Sequence, residues 1–239
     1  MNSLLKALIQ TGIGSRRQAA DAIVRGVVKV NGVVVDDLGH PVDADKDRIT
    51  VDGCEVDIKP KKIVYLMFNK PAGVLSTVRD DRGRRTVIDL LPEQYRKLAL
   101  HPVGRLDKDT TGLLLLTNDG DLTYRLTHPK FEHEKEYLVR IDGIMSLKEL
   151  RALETGIDID DGLTHRAIVR GIESNPSYNY SITIHEGRKR QVRRMFSHLG
   201  YRVTALKRVR IGDLRLGGLA EGGVRRLDDS EVGLLVKDR

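Results

Sequence analysis

Tryptophan is absent from these 239 residues and phenylalanine occurs only three times, which excludes a broad aromatic platform for stacking successive unpaired bases. A single cysteine, Cys54, leaves no partner for an intrachain disulfide and no CxxC zinc site. It suits a reducing cytoplasm, the expected location. No apolar run approaches the ~20 residues of a membrane span, and the N-terminus carries no signal-peptide core, so no membrane is expected. What is abundant is charge: 41 Lys and Arg against 34 Asp and Glu, a net +7. A basic chain with enough apolar residues to fold points to a polyanionic partner, nucleic acid first. The length fits one large domain, or a small one followed by a larger one.

The chain is organised around Gly104-Arg105-Leu106-Asp107-Lys108-Asp109-Thr110-Thr111-Gly112, which runs into Leu113-Leu114-Leu115-Leu116 and an Asn118-Asp119-Gly120 turn. Four leucines between a charged loop and a turn signal read as a buried strand. Burying charge costs several kcal/mol per ion unless it is paired, so a charged loop leading into a core strand marks the mouth of a site. In an extended segment Arg105 and Asp107 share a side and can pair, holding one oriented carboxylate. The plain alternative is a solvated surface pair worth at most about 1 kcal/mol.

Before this loop, Leu4, Leu5, Leu8 and Ile9 repeat at helical spacing up to Gly12. Ser15 caps a second helix that turns Ala19, Ala20 and Ile23 inward. Arg16 and Arg17 fall in its first turn, where the macrodipole disfavours cations, so phosphate contact explains them better than stability does. Val27–Val30, Asn31-Gly32 and Val33–Val35 predict a hairpin, with a third strand at Arg48–Val51. Asp57–Lys62 reads as a linker between a domain of residues 1–60 and one of residues 63–239. A strand at Ile63–Phe68 enters an Asn69-Lys70-Pro71-Ala72-Gly73 turn, where Lys70 reads as scaffold. The polar loop Thr77–Thr86, with Arg82, Arg84 and Arg85, is long for a plain connection.

Beyond the central strand a helix opens at Asp119 and closes at His128-Pro129. Glu134–Ile141 alternates as a strand with Tyr137 on one face, and Ser146–Leu153 is an amphipathic helix. Ile157–Gly162 is acidic but lacks the terminal Glu of a calcium loop. After a strand at Ser181–Ile184, Gly187 marks a sharp turn into a helix from about Lys189, with an apolar stripe of Val192, Met195, Phe196 and Leu199. Arg188, Lys189, Arg190, Arg193 and Arg194 flank that stripe, and Arg202, Lys207, Arg208 and Arg210 follow. Cations this dense repel one another unless phosphates neutralise them, so RNA is the expected partner.

Gly104-Arg105-Leu106-Asp107 with Thr111-Gly112-Leu113-Leu114 resembles the catalytic motif of pseudouridine synthases, specifically the ribosomal-RNA branch, whose type A modifies small-subunit RNA and whose type B modifies large-subunit RNA. Asn69-Lys70-Pro71, Lys135-Glu136-Tyr137 and Glu186-Gly187 through Gln191-Val192-Arg193-Arg194-Met195 resemble further motifs of that family in order. Residues 1–60, with Gly14-Ser15-Arg16-Arg17 and Val28-Lys29-Val30-Asn31-Gly32, are similar to an S4 RNA-binding domain, with Ser3 departing from its usual basic residue. The resemblance implies an α+β fold, a small S4-like α/β domain linked to a catalytic domain with a mostly antiparallel central sheet. It implies Asp107 as nucleophile, Arg193 as its paired cation, Tyr137 as the face stacked on the target uracil, and Arg105 as the residue filling the space left by a flipped base. Arg190 stands where many relatives have His. No metal and no cofactor are implied. The partner would be ribosomal RNA or a precursor particle, with type B the nearer match, acted on by a monomer. Whether Asp107 first attacks the base or the sugar stays open.

Two other classes fit parts of the sequence. A non-enzymatic ribosome-assembly factor would use the S4-like module and the basic crest alone, and gives Asp107 no role. A metal nuclease built on Asp107, Asp109, Asp119 and Asp121 would need clustered carboxylates, whereas Asp119 and Asp121 read as turn and cap residues.

Overall fold

A computed structural model describes residues 2–11, 16–59 and 62–236. The helix-ending Gly12, the cap Ser15 and the linker residues Pro60 and Lys61 lie outside the described residues. The chain divides into two compact units, one up to Ile63 together with Gln94–Ala99, the other from Val64 to Glu93 and from Leu100 onward.

The first unit contains β1 (Asn2–Ser3), α1 (Leu4–Thr11), α2 (Arg16–Val24), β2 (Val28–Val30), β3 (Val33–Val34), β4 (Pro41–Val42), β5 (Ile49–Val51) and β6 (Cys54–Val56). Leu4, Leu5 and Leu8 form one face of α1, and Ala19 and Ile23 one face of α2. They bury against Val28, Val30, Val42 and Ile49. In β2 the alternation sends Val28 and Val30 inward and Lys29 out. Asn31 and Gly32 both take positive φ, +53° and +85°, the combination a two-residue hairpin between β2 and β3 requires. The sequence reading missed β6, a three-residue strand whose first two residues are exposed and carry no apolar alternation.

The second unit holds β7 (Tyr65–Lys70), β8 (His101–Pro102), β9 (Thr111–Thr117), α4 (Gly120–Thr127), β10 (Lys135–Ile141), α5 (Leu147–Thr155), β11 (Ile168–Gly171), β12 (Tyr180–Ile184), α6 (Gln191–His198), β13 (Val203–Ile211), β14 (Leu214–Arg215), β15 (Val224–Arg226) and α7 (Asp229–Val236), while the short α3 (Glu93–Arg96) straddles the division. One sheet runs β11-β12-β10-β13-β9-β7-β15, with β14 on β13 and β8 on β9. Every pairing is antiparallel except β13 with β9.

The helix boundaries follow side-chain chemistry. Asp119 caps α4 by accepting from Asp121 N and Leu122 N, and Ser146 and Glu149 form a reciprocal capping box at α5. On one sheet face Met67, Leu113 and Leu115 pack with Leu122, Leu126, Ile211, Leu227 and Leu235. On the other, α6 buries Val192, Met195 and Phe196, with the Phe196 ring 6.5 Å from Tyr180. Burying one such aromatic ring contributes roughly 2–3 kcal/mol. Strand alternation divides the run Leu113–Leu116 between the two sheet faces. Leu114 pairs with Phe68 on the face of Lys70, while Leu113 and Leu115 belong to the opposite core.

Candidate active site

The loop that precedes β9 is held by its backbone. Leu106 O accepts from the Ser76 hydroxyl at 3.0 Å, and Leu106 N donates back to the same oxygen at 3.1 Å. Asp107 O accepts from Thr110 N, and Lys108 O from Gly73 N. Asp109 O takes the Arg193 Nη2 donor at 3.2 Å. Lys70 Nζ donates to Lys108 O at 3.1 Å, to Thr110 O at 2.9 Å and to Pro71 O at 2.9 Å. Five consecutive carbonyls, 106 to 110, are therefore all accepting. Among the described residues no side chain bonds the Asp107 carboxylate, which is half-buried. A fixed backbone around an unengaged carboxylate is how a nucleophile is preorganised.

Lys70 makes this possible at a cost. Its side chain is 0% exposed. Burial pulls its pKa down to about 8, against the upward pull of Asp109, Asp107 and Glu221. The lysine assigned to the scaffold is thus the loop's main clamp.

Strand register carries the site sideways. Lys70 pairs with Gly112, Gly112 with Arg208, Arg208 with Tyr137, and Tyr137 with Ile182, so these residues form one row across five strands, on one face. Gly112 is required: it has φ +100°, and a Cβ there would lie 2.2 Å from Arg208 O. The bare glycine lets β13 approach β9, and Arg208 Nε donates to Leu113 O at 2.8 Å. Arg208, 3% exposed, leaves Nη2 buried with no partner among the described residues. Tyr137 is 9% exposed beside it. Lys135, on the same face, is pushed down to about 8 by burial and then by the Arg208 charge.

Two expected ion pairs are not formed. Among the described residues, no guanidinium lies within 4.0 Å of the Asp107 carboxylate. Arg105 is exposed; Leu106, gripped by Ser76, anchors the segment in place of the charges. Arg193 is turned to carbonyls, Val203 O at 2.9 Å as well as Asp109 O. Burial and then Arg190 lower the Arg193 pKa, while Asp107 and Asp109 oppose them, so the carboxylate acts on Arg193 through space.

The dense crest also differs from expectation, because protein groups neutralise much of it. Arg188 pairs with Glu186 at 2.9 Å and donates to the carbonyls of Asp161, Gly162 and Leu163. Arg194 bonds Asp161 and Ile159 O, and Arg210 bonds Glu134 and Glu136. In the earlier loop Arg84 makes a 2.6 Å ion pair with Asp80, which also accepts from the backbone of Arg82 and Arg84. These bonds hold the Asp80 carboxyl well below the usual range. Arg84, Arg188 and Arg194, expected on RNA, are thus internal ties. Arg16, Arg17, Lys29, Arg82, Arg85, Lys189 and Arg190 are exposed. The sequence reading overlooked Ser76, which no local pattern marks. Asp119 caps α4 and accepts from Tyr65 at 2.7 Å, and no group of three or more His, Cys, Asp or Glu among the described residues is placed to hold a metal ion.

A clamped, unengaged carboxylate in a basic chain with a separate small module is the arrangement of an enzyme that acts on a polyanion. The family profile described as RNA pseudouridylate synthase matches residues 64–198, and that of the S4 domain matches residues 4–53. The chain belongs to the RNA pseudouridylate synthase family, with an N-terminal S4 domain, and is a pseudouridine synthase. It is 43% identical over 235 residues to ribosomal large subunit pseudouridine synthase B of Bacillus subtilis (strain 168), covering 97% of this chain and 94% of that protein. It is 40% identical over 237 residues to the protein of the same name from Vibrio vulnificus (strain CMCP6), covering 97% and 73%. A crystal structure of a pseudouridylate synthase aligns with a TM-score of 0.71 at 35% identity, over 99% of this chain and all of that one.

Proposed function

We propose that this enzyme converts a specific uridine of large-subunit ribosomal RNA to pseudouridine, acting as a cytoplasmic monomer with Asp107 as nucleophile. The fixed carbonyls of residues 106–110 around an unengaged Asp107 carboxylate carry this reading. The names of the similar proteins support the choice of RNA. The N1–C1′ bond of the uridine breaks and a C5–C1′ bond forms. C5 gives up a proton and N1 gains one, so the reaction is redox-neutral and calls on no redox group. Arg193 supplies the counter-charge at Asp107, Tyr137 the wall against which the base stacks, and Arg105, exposed at the loop, the side chain that enters the stack when the uridine leaves. The S4 domain holds RNA through Arg16, Arg17 and Lys29, and Arg82, Arg85, Lys189 and Arg190 add phosphate contacts in the catalytic unit. We read the domain boundary at about residues 57–62.

The test is carbodiimide primer extension on transcribed large- and small-subunit RNA, each also offered as a precursor particle. A new stop at one large-subunit uridine is expected. A stop confined to small-subunit RNA contradicts the choice of substrate, and tight binding with no stop on any RNA favours the assembly-factor reading.

A further inference from the structure

An open cleft of about 620 Å³ lies beside the clamped loop, lined by Asp109, Arg190, Arg193, Ser197, Gly200, Tyr201, Arg202, Val203 and Thr204. Arg193 and Ser197, four residues apart, share one face of α6, and Arg190, the N-cap residue before its first turn, lines the same cleft. Gly200, Tyr201 and Arg202 carry the wall past its C-terminal end to the start of β13. With eight residues α6 is ~12 Å long, enough for roughly two or three nucleotides of a strand at 3.4 Å or more each.

The charges in this cleft are unlike those of the neighbouring crest. Arg188, Arg194 and Arg210 each have carboxylate partners. Arg190 and Arg202 are exposed, and among the described residues neither side chain is within 4.0 Å of a carboxylate or makes a hydrogen bond. Arg193 joins them, and Asp109 supplies the carboxylate on the loop side. Three guanidinium groups facing one carboxylate in a cleft leave a net positive wall, and the Arg190 charge already disfavours the Arg193 charge. An anion relieves that repulsion. Asp109, which also lines the cleft, lies two residues along the chain from Asp107.

We propose that this cleft seats the backbone phosphates of the substrate strand immediately next to the target uridine, with Arg190 and Arg202 as the phosphate-contacting cations and Arg193 shared between cleft and reacting centre. This rests on the proposed reaction and adds to it the path of the RNA. Ser197 places a hydroxyl group along the same path. Arg202 is the residue to test, since it is exposed and unbonded, and its replacement leaves no buried partner behind.

Binding of transcribed large-subunit RNA is measured over a salt series for wild type, Arg202→Gln, Arg190→Gln and Arg202→Lys. Each Gln variant is expected to bind about tenfold more weakly at 0.1 M salt. Each should also lower the slope of log Kd against log salt by roughly 0.7–0.9, the value for one lost phosphate contact. Arg202→Lys should keep the slope. Unchanged Kd and slope in both Gln variants overturn the proposal and leave the cleft to another acidic partner. Asp107→Asn in the same series separates the two claims. If it binds as wild type but still isomerises uridine, the reaction reading fails whatever the arginines do.

Discussion

At the scale of single residues, Gly112 and Thr110 are fixed by close neighbours at the clamped loop's junction with β9. Gly112 has φ +100° and no room for a methyl group beside Arg208 O. Gly112→Ala is expected to destabilise the protein by at least about 2 kcal/mol, measured by urea unfolding. A loss within 0.5 kcal/mol would mean β13 and β9 are not held at this separation. Thr110 gives the opposite sign. Its backbone serves the loop clamp, but its buried hydroxyl has no partner among the described residues. A buried hydroxyl with nothing to bond costs more than a methyl in its place. Thr110→Val should therefore be neutral or stabilising by up to about 1 kcal/mol in the same assay, and a clear loss of stability would show that the hydroxyl has a partner.

At the scale of elements, the loop of residues 105–110 is a unit held chiefly by one ammonium group. Three N–H groups of charged Lys70 match three carbonyls, whereas a neutral amine has only two. The single-turnover rate is expected to fall as pH rises through about 8, where Lys70 gives up its proton. Stability should move the other way. From about pH 8 to 10.5 the unfolded lysine keeps the proton that the folded one has lost, so this group's contribution rises with pH. Lys135 titrates in the same range; Lys135→Gln should keep the alkaline fall in rate, and its disappearance in that variant would reassign the fall to Lys135.

Most of these elements were legible in the sequence. The leucine run gave β9, the Lys-Glu-Tyr alternation β10, the stripe from Val192 to Phe196 α6, and Asn31-Gly32 the hairpin, because each is written in local spacing. The clamp was not legible. Ser76 meets Leu106 thirty residues away, and the pairing of Gly112 with Arg208 depends on a parallel register between strands distant in the chain. The crest was misread for the same reason. Arg194 looked free because Asp161, its partner across a loop, is far from it in sequence, and the carbonyls that hold Arg188 belong to that same distant loop.

At the scale of the whole molecule, net charge +7 is less informative than its distribution. Much of the crest is internally neutralised, so the proposed RNA contacts fall on the exposed cations of the S4 domain and on those beside the clamped loop. Replacing Arg16 and Arg17 together by Gln should lower the slope of log Kd against log salt by roughly 1–2, read by filter binding. An unchanged slope would remove α2 from the RNA surface.

The central claim is that one held carboxylate performs the chemistry while the rest of the protein places RNA against it. The most direct measurement is single-turnover release of tritium from ribosomal RNA labelled at uridine C5, comparing wild type with Asp107→Asn, with Kd measured on the same RNA. The expected result is a Kd within twofold of wild type and a rate lower by at least about a thousandfold. Tritium release by Asp107→Asn within tenfold of wild type would contradict the account, because the clamped loop would then present a group the reaction does not use.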